Sequence, residues 1–213
     1  MKQRFRHRVE AGRLLADKLG AYAGRDDVLI LALPRGGVPV GFEVARQLKA
    51  PLDVLIVRKL GVPGHEELAM GAITIGGVEY REESVIASLH IPPASIAEVV
   101  RHERAELARR EHAYRGDRPF PQLAGRTVIV VDDGIATGST MRAAVRALQT
   151  KRPAAIIVAS PVASESAILA LQSEVDAVVT LLIPEDFFAI GQFYDDFSQT
   201  TDEEVKALLA RSI

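Results

Sequence analysis

Apolar residues follow two distinct rhythms along this chain. Val9, Leu14, Leu15, Leu19 and Tyr22 recur at helical spacing and predict a leading helix over 8–22. Val28-Leu29-Ile30-Leu31-Ala32-Leu33 is instead an unbroken apolar run, the mark of a strand buried on both faces. A helix over 38–48 follows, with Pro39 tolerable in its first turn. Asp53-Val54-Leu55-Ile56-Val57 is a second strand, so the opening reads as a βαβ unit. Residues 60–82 break this order. Glycines interrupt them, and 72–75 with 78–80 predict a hairpin across Gly76-Gly77. A long polar helix is expected from Ser95 to about Tyr114, with Ser95 and Glu98 in capping-box spacing. Alternation then returns: strand 127–131, a helix after Ser139, strand 154–159, helix 166–171 and strand 177–183, which Pro184 ends. Thr201 and Glu204 form a second capping box before a closing helix over 201–209.

Five apolar strands joined by helices predict an α/β fold, a parallel sheet flanked by helices. One domain over 1–213 accounts for the chain, with its core at about 28–183, a hairpin-and-helix insert at about 60–125 and a small aromatic-rich segment at about 184–200.

The most informative stretch is Val128-Ile129-Val130-Val131-Asp132-Asp133-Gly134-Ile135-Ala136-Thr137-Gly138-Ser139-Thr140-Met141. A buried strand runs straight into two carboxylates, at the end where open α/β sheets place their ligands. A loop of small and hydroxyl residues then leads into a helix N-terminus, whose free amides favour an anion. Carboxylates for sugar hydroxyls or a hydrated Mg²⁺ thus adjoin a backbone cradle for phosphate. Neither G-x-x-x-x-G-K-[ST] nor G-x-G-x-x-G occurs, so the P-loop and dinucleotide fingerprints are absent.

This stretch resembles the phosphoribosyl-diphosphate (PRPP) signature of the type I phosphoribosyltransferases: an apolar run, two acids and a Thr-Gly-x-Thr loop. The resemblance implies that Asp132 and Asp133 bind the ribose hydroxyls. Gly134, Ala136, Thr137, Gly138, Ser139 and Thr140 would wrap the 5′-phosphate. Leu33-Pro34-Arg35-Gly36-Gly37 lies between the first strand and its helix, where paired glycines allow close backbone approach to a ligand. In that family this is the pyrophosphate loop, so Gly36, Gly37 and Arg35 become candidates. Arg58-Lys59 closes the second strand, and a similar pair in adenine and orotate enzymes implies that Lys59 reaches pyrophosphate. The 184–197 segment resembles the hood of the purine salvage enzymes, implying base contacts from Phe187, Phe188, Ala189 and Asp195. Mg²⁺ would be held mainly by PRPP, with Asp132 and Asp133 as further ligands.

Two departures bear on the acceptor. Ala136 stands where 6-oxopurine enzymes carry an Asp, and Ser160-Pro161-Val162-Ala163 holds no cation where those enzymes meet a purine oxo group. Guanine and hypoxanthine are therefore not the expected substrates. His65-Glu66-Glu67-Leu68-Ala69-Met70-Gly71 reads as a solvated loop, and His102 and His112 as surface residues, since i and i+10 is not metal spacing. Arg101 and Arg104 are candidates for closing over phosphates. The long helix suits covering a sheet face or a partner subunit, which makes a homodimer a candidate assembly.

Bulk composition adds exclusions. The net charge of −2 argues against a nucleic-acid partner, and the absence of cysteine removes thiolate metal sites and Cys nucleophiles. No run approaches the ~20 apolar residues of a membrane span. Met1-Lys2-Gln3-Arg4-Phe5-Arg6-His7-Arg8 is basic, but no apolar stretch follows it, so it does not read as a signal peptide. A cytoplasmic enzyme transferring phosphoribosyl from PRPP to a nitrogen acceptor is the expectation. The alternatives are a PRPP- or nucleotide-sensing regulator on the same fold and a metal-dependent phosphate hydrolase.

Overall fold

A computed structural model describes residues 4–212; Met1 to Gln3 of the basic start and Ile213 lie outside the described residues. Five parallel strands form the main sheet: β1 (Val28–Ala32), β2 (Leu52–Val54), β6 (Thr127–Val131), β7 (Ala155–Val162) and β8 (Ala177–Leu182). Their spatial order is β2-β1-β6-β7-β8. The unbroken apolar runs follow from burial on both faces. Ile30, Ala32, Ile129 and Val131 face one core, and Leu29, Leu31, Val128 and Val130 face the other.

Helix α1 (Arg8–Lys18) packs on α2 (Gly37–Leu48). The leading helix is shorter than expected, ending before a 3₁₀ turn at Gly20–Tyr22. Helices α5 (Ser139–Gln149) and α6 (Glu165–Gln172) supply Met141, Val145, Leu148, Ile168 and Leu171 to the second core. Thr201 caps α7 (Asp202–Arg211) as expected, its hydroxyl accepting from the Glu204 amide at 3.1 Å.

The chain leaves β1 toward β2 on one side and leaves β6 toward β7 on the other. The boundary between β1 and β6 is therefore a topological switch point, the crevice where open α/β sheets bind ligands. Ala32 pairs with Val131, so β1 and β6 end at one level and their outgoing loops meet, while β7, whose Ala159 pairs with Val131, runs three residues further.

The insert departs from expectation in three places. The second strand does not carry Arg58-Lys59 at its end. It stops at Val54, and β3 (Val57–Val62) begins a separate antiparallel sheet with β4 (His65–Thr74) and β5 (Val78–Arg81). The predicted hairpin across Gly76-Gly77 is its β4–β5 half. Residues 65–71 are strand rather than loop, paired with β3 through register shifts around Gly61. The long helix α4 (Pro93–Arg115) starts two residues before Ser95. It has Pro92 at its N-cap and no side-chain cap, so the Ser95–Glu98 capping box does not form. Pro93 takes the first helical position, where the missing N–H costs nothing. A short helix, α3 (Glu83–Ser88), precedes it.

Helix α4 packs on β3, β4 and α7. Its end is anchored by Arg115, buried and paired with both oxygens of Asp53 on β2 at 2.9 and 3.2 Å through Nε.

Candidate active site

Two loops converge at the switch point. The first, after β1, contains a cis Pro34–Arg35 peptide and runs through Gly36 into α2. The second, after β6, begins with Asp132 and Asp133. A Cβ on Gly36 would stand 2.6 Å from Asp133 Cγ, and one on Gly37 2.7 Å from the Val131 carbonyl oxygen. Both glycines are there because the loops touch.

The second loop ends at Gly138, which takes a left-handed φ of 74° and leads into α5 without a side-chain cap. Thr137 Oγ1 lies 3.4 Å from the Ser139 amide, a long contact. The first-turn amides of α5 are thus free of strong partners and carry the positive end of the helix dipole. Ala136, Thr137, Gly138, Ser139 and Thr140 form one turn that presents these amides at the N-terminus of α5.

The acids are not equivalent. Asp133 is buried, and its Oδ2 accepts from Arg8 Nε at 2.7 Å. Its amide donates to Asp132 Oδ1 at 2.9 Å, and its carbonyl accepts from the Tyr194 hydroxyl at 2.6 Å. Burial pushes Asp132 well above the usual carboxylate range, and the neighbouring Asp133 charge adds to it. Burial raises Asp133 as well, opposed by the Arg8 guanidinium. Tyr194 is raised beyond its ordinary value by burial and by Asp133. Among the described residues one cation, Arg8, meets this largely desolvated pair of carboxylates, which leaves a deficit of positive charge.

The aromatic segment after β8 forms a hood closed by the other end of the chain. Phe5 makes a parallel bridge to Tyr194, donating its amide to the Phe193 carbonyl at 2.8 Å. Phe187 packs on Phe193, ring centroids 5.3 Å apart, and so belongs to the hood's own small core. Phe188 is 86% exposed. Ala189 precedes a 3₁₀ turn at Ile190–Phe193, and Ile190 packs against Gly134. Asp195 pairs with Arg4 at 3.3 Å.

The two candidate cations lie apart. Arg35 points away from the acids toward Asp202 at 3.7 Å, in a cavity of about 300 Å³ with Arg109, Arg110 and Tyr114. Lys59, on the small sheet, borders a cavity of about 460 Å³ with Tyr80, Ser139, Arg142 and Arg146. That places it beside the 136–140 turn. Its neighbour Arg58 is paired with Glu103 at 2.6 Å, and Arg104 with Glu79 at 2.7 Å. Arg101 borders a third cavity, of about 790 Å³. His102 and His112 are exposed on α4. Among the described residues, no three His, Asp or Glu gather as a metal-ligand set, and no helix is long and apolar enough to cross a membrane.

This geometry has counterparts. The sequence pattern of the family described as "Phosphoribosyl transferase domain" matches residues 6–198. The chain belongs to the phosphoribosyl transferase family. It is 44% identical over 208 residues to "Putative phosphoribosyl transferase Rv0571c" of Mycobacterium tuberculosis strain H37Rv, a match covering 98% of this chain and 47% of that protein. The chain thus spans about half the length of the curated relatives it matches. The crystal structure of TT1426 from Thermus thermophilus superposes with a TM-score of 0.88 at 41% identity, covering 97% of this chain and 98% of that one. The structure of AQ2163 from Aquifex aeolicus shares the fold alone, with a TM-score of 0.51 at 11% identity over 97% of this chain and 86% of that one. The expected α/β phosphoribosyl transferase architecture is borne out, a five-stranded parallel sheet with a small antiparallel insert.

Sequence reasoning missed Arg8 and Tyr194, which bond Asp133, and Phe197, which stacks on both of them. Arg8 sits in a run of basic residues that reads as a solvated face. Its partner lies 125 positions away, and no local spacing connects the two.

Proposed function

We propose that this chain transfers the 5-phosphoribosyl group from PRPP to a nitrogen acceptor. The C1–O bond to the diphosphate breaks, a C1–N bond forms, and the acceptor's N–H proton leaves. One observation carries this reading: the 136–140 turn, the acid pair and the glycine loop meet at the β1–β6 switch point. Their spacing along one crevice suits a ligand with phosphate at one end, vicinal hydroxyls in the middle and diphosphate at the other.

In this reading the α5 amides and Thr137, Ser139 and Thr140 hold the 5′-phosphate. Asp132 accepts from the ribose hydroxyls, supported by Asp133. The amides at Arg35 and Gly36 and the Arg35 side chain would meet the diphosphate, while Gly37, its amide spent on the Leu33 carbonyl at 3.1 Å, lets the two loops approach closely. Lys59 adds charge from the small sheet, on the phosphate side of the site. As C1 loses the diphosphate it gains oxocarbenium character, so alignment and leaving-group stabilisation matter more than a strong protein base. Two carboxylates fall short of a full Mg²⁺ ligand set, which fits an ion carried mainly on PRPP oxygens with Asp132 and Asp133 completing it. Such an ion would neutralise the departing diphosphate, and it fits the charge deficit of the acid pair.

The acceptor would stack on Phe188, the free ring of the hood, while Phe187 supports the hood from within. At the end of β7, Ser160 spends its hydroxyl on the Val162 carbonyl at 2.9 Å, and Ala136 offers no acid. That surface supports an acceptor other than guanine or hypoxanthine. Incubation with PRPP, Mg²⁺ and a panel of nucleobases and amines, followed by assay of pyrophosphate, tests the reading. Pyrophosphate release that requires the acceptor is expected. PRPP binding without turnover would make the chain a sensor, and release of inorganic phosphate would make it a hydrolase.

A further inference from the structure

We infer that Arg8 is a positioning residue for the PRPP site, holding the Asp133 carboxylate against the glycine loop and tying it to the hood. The inference rests on the proposed binding of PRPP and extends it to a residue outside the signature.

Arg8 makes more of its surroundings than a surface cation does. Its Nε donates to Asp133 Oδ2 at 2.7 Å, with the two side chains only 12% and 10% exposed. Its Nη1 donates to the Ser198 carbonyl at 2.7 Å. The guanidinium lies over the Phe197 ring at 4.0 Å, with the Tyr194 ring at 6.0 Å. Tyr194 in turn stacks on Phe197, centroids 5.1 Å apart, and donates its hydroxyl to the Asp133 carbonyl. Asp133 is therefore gripped twice from the hood side, by its carboxylate and by its backbone. On its other side is Gly36, where no side chain fits.

The consequence is a division of labour between the acids. Asp133 Oδ2 is committed to Arg8, which fixes the rotamer of its side chain. Asp132 receives only the Asp133 amide among the described hydrogen bonds, and is left to meet the ribose. Because Asp132 accepts from the Asp133 backbone, a displaced Asp133 displaces both acids. The planar guanidinium matters as much as its charge, since it stacks on Phe197 while it bonds Asp133; a lysine would keep the charge and lose the stack.

A double-mutant cycle on the full chain tests this, with PRPP and Mg²⁺ titrated calorimetrically into wild type, Arg8→Met, Asp133→Asn and the double variant. Arg8→Met is expected to weaken PRPP about tenfold or more, as breaking a buried pair does. The double variant should bind no more weakly than Asp133→Asn, because Arg8 acts through that carboxylate. Arg8→Lys should recover part of the loss. Inorganic phosphate, titrated alone as a probe of the 136–140 turn, should bind all four proteins alike, which separates positioning from general loss of structure. If phosphate binding falls in parallel with PRPP, the role is only structural and the inference is wrong. Independent, additive losses would overturn it, as would tighter PRPP binding in Arg8→Met, which would make Arg8 a competitor for the site. If wild type binds PRPP and Arg8→Met binds it equally well, the inference fails alone; if wild type does not bind PRPP, the proposed function fails with it.

Discussion

The carboxylate of Asp133 fills the volume that any side chain at Gly36 would need. Gly36→Ala must therefore move either the acid or the loop after β1. We expect it to cost about 1–3 kcal/mol of stability, as overpacking a tight contact does, and to weaken PRPP more than it weakens inorganic phosphate. Thermal unfolding and parallel titrations with the two ligands check this. Unchanged PRPP affinity would mean that the contact plays no part in the site.

The acid pair should set stability against function. Both carboxyls lie above their ordinary value of 3.8, chiefly through burial. The folded protein thus retains protons that the unfolded chain has released. The resulting stability is complete below pH ~4 and is lost as pH rises through the raised folded values. Asp132→Asn removes this loss. In the absence of metal and ligand it should melt at a higher temperature than wild type near neutral pH, with the difference shrinking in acid, while its PRPP affinity falls sharply. A neutral-pH melting point no higher than wild type would refute the burial argument.

The turn from Ala136 to Thr140 should hold an anion unaided. Crystals grown in sulfate or phosphate are expected to show one within hydrogen-bond reach of the Ser139 and Thr140 amides, at the N-terminus of α5. An ordered but empty turn at high phosphate would count against the placement of the 5′-phosphate.

The two adjacent hood phenylalanines should separate cleanly. Phe188, exposed to solvent, can be replaced by Ala with a change in stability within about 0.5 kcal/mol. Acceptor KM should rise while PRPP affinity stays. Phe187→Ala should instead cost stability, because Phe187 packs on Phe193. Initial rates with hypoxanthine, guanine, adenine, uracil and orotate at fixed PRPP complete the test. A site lacking partners for a polar edge discriminates against it, so the two 6-oxopurines should be poor. Efficient hypoxanthine turnover would show that Ala136 and Ala163 carry less meaning than we give them.

What the sequence makes legible follows from range. Strands such as Val128–Val131 declare themselves because burial on both faces demands an unbroken apolar run. The anion turn is equally local: strand, acids, small residues and helix lie within fourteen positions. The small sheet is obscured for a related reason. Leu55 and Ile56 are buried and bridge β2 to β3 without a polar break, so two strands in different sheets read as one, and Lys59 takes the wrong address. The Ser95–Glu98 pair shows how local signals compete; Pro93 starts the helix first. Arg8 lies beyond any such reading, because only the fold brings it to Asp133.

That distance also orders the assembly of the site. Arg8 and the Ser198 carbonyl it bonds are 190 positions apart, and Phe5 pairs with Tyr194 across nearly the whole chain. Contacts of such separation carry the largest loop-closure cost and are expected to form after the local ones. On the ribosome, the strands and the anion turn can be in place while the acids still lack their cation and their cover. The phosphate turn can thus precede the finished acid pair, which is complete only when the 193–198 segment reaches Phe5 and Arg8.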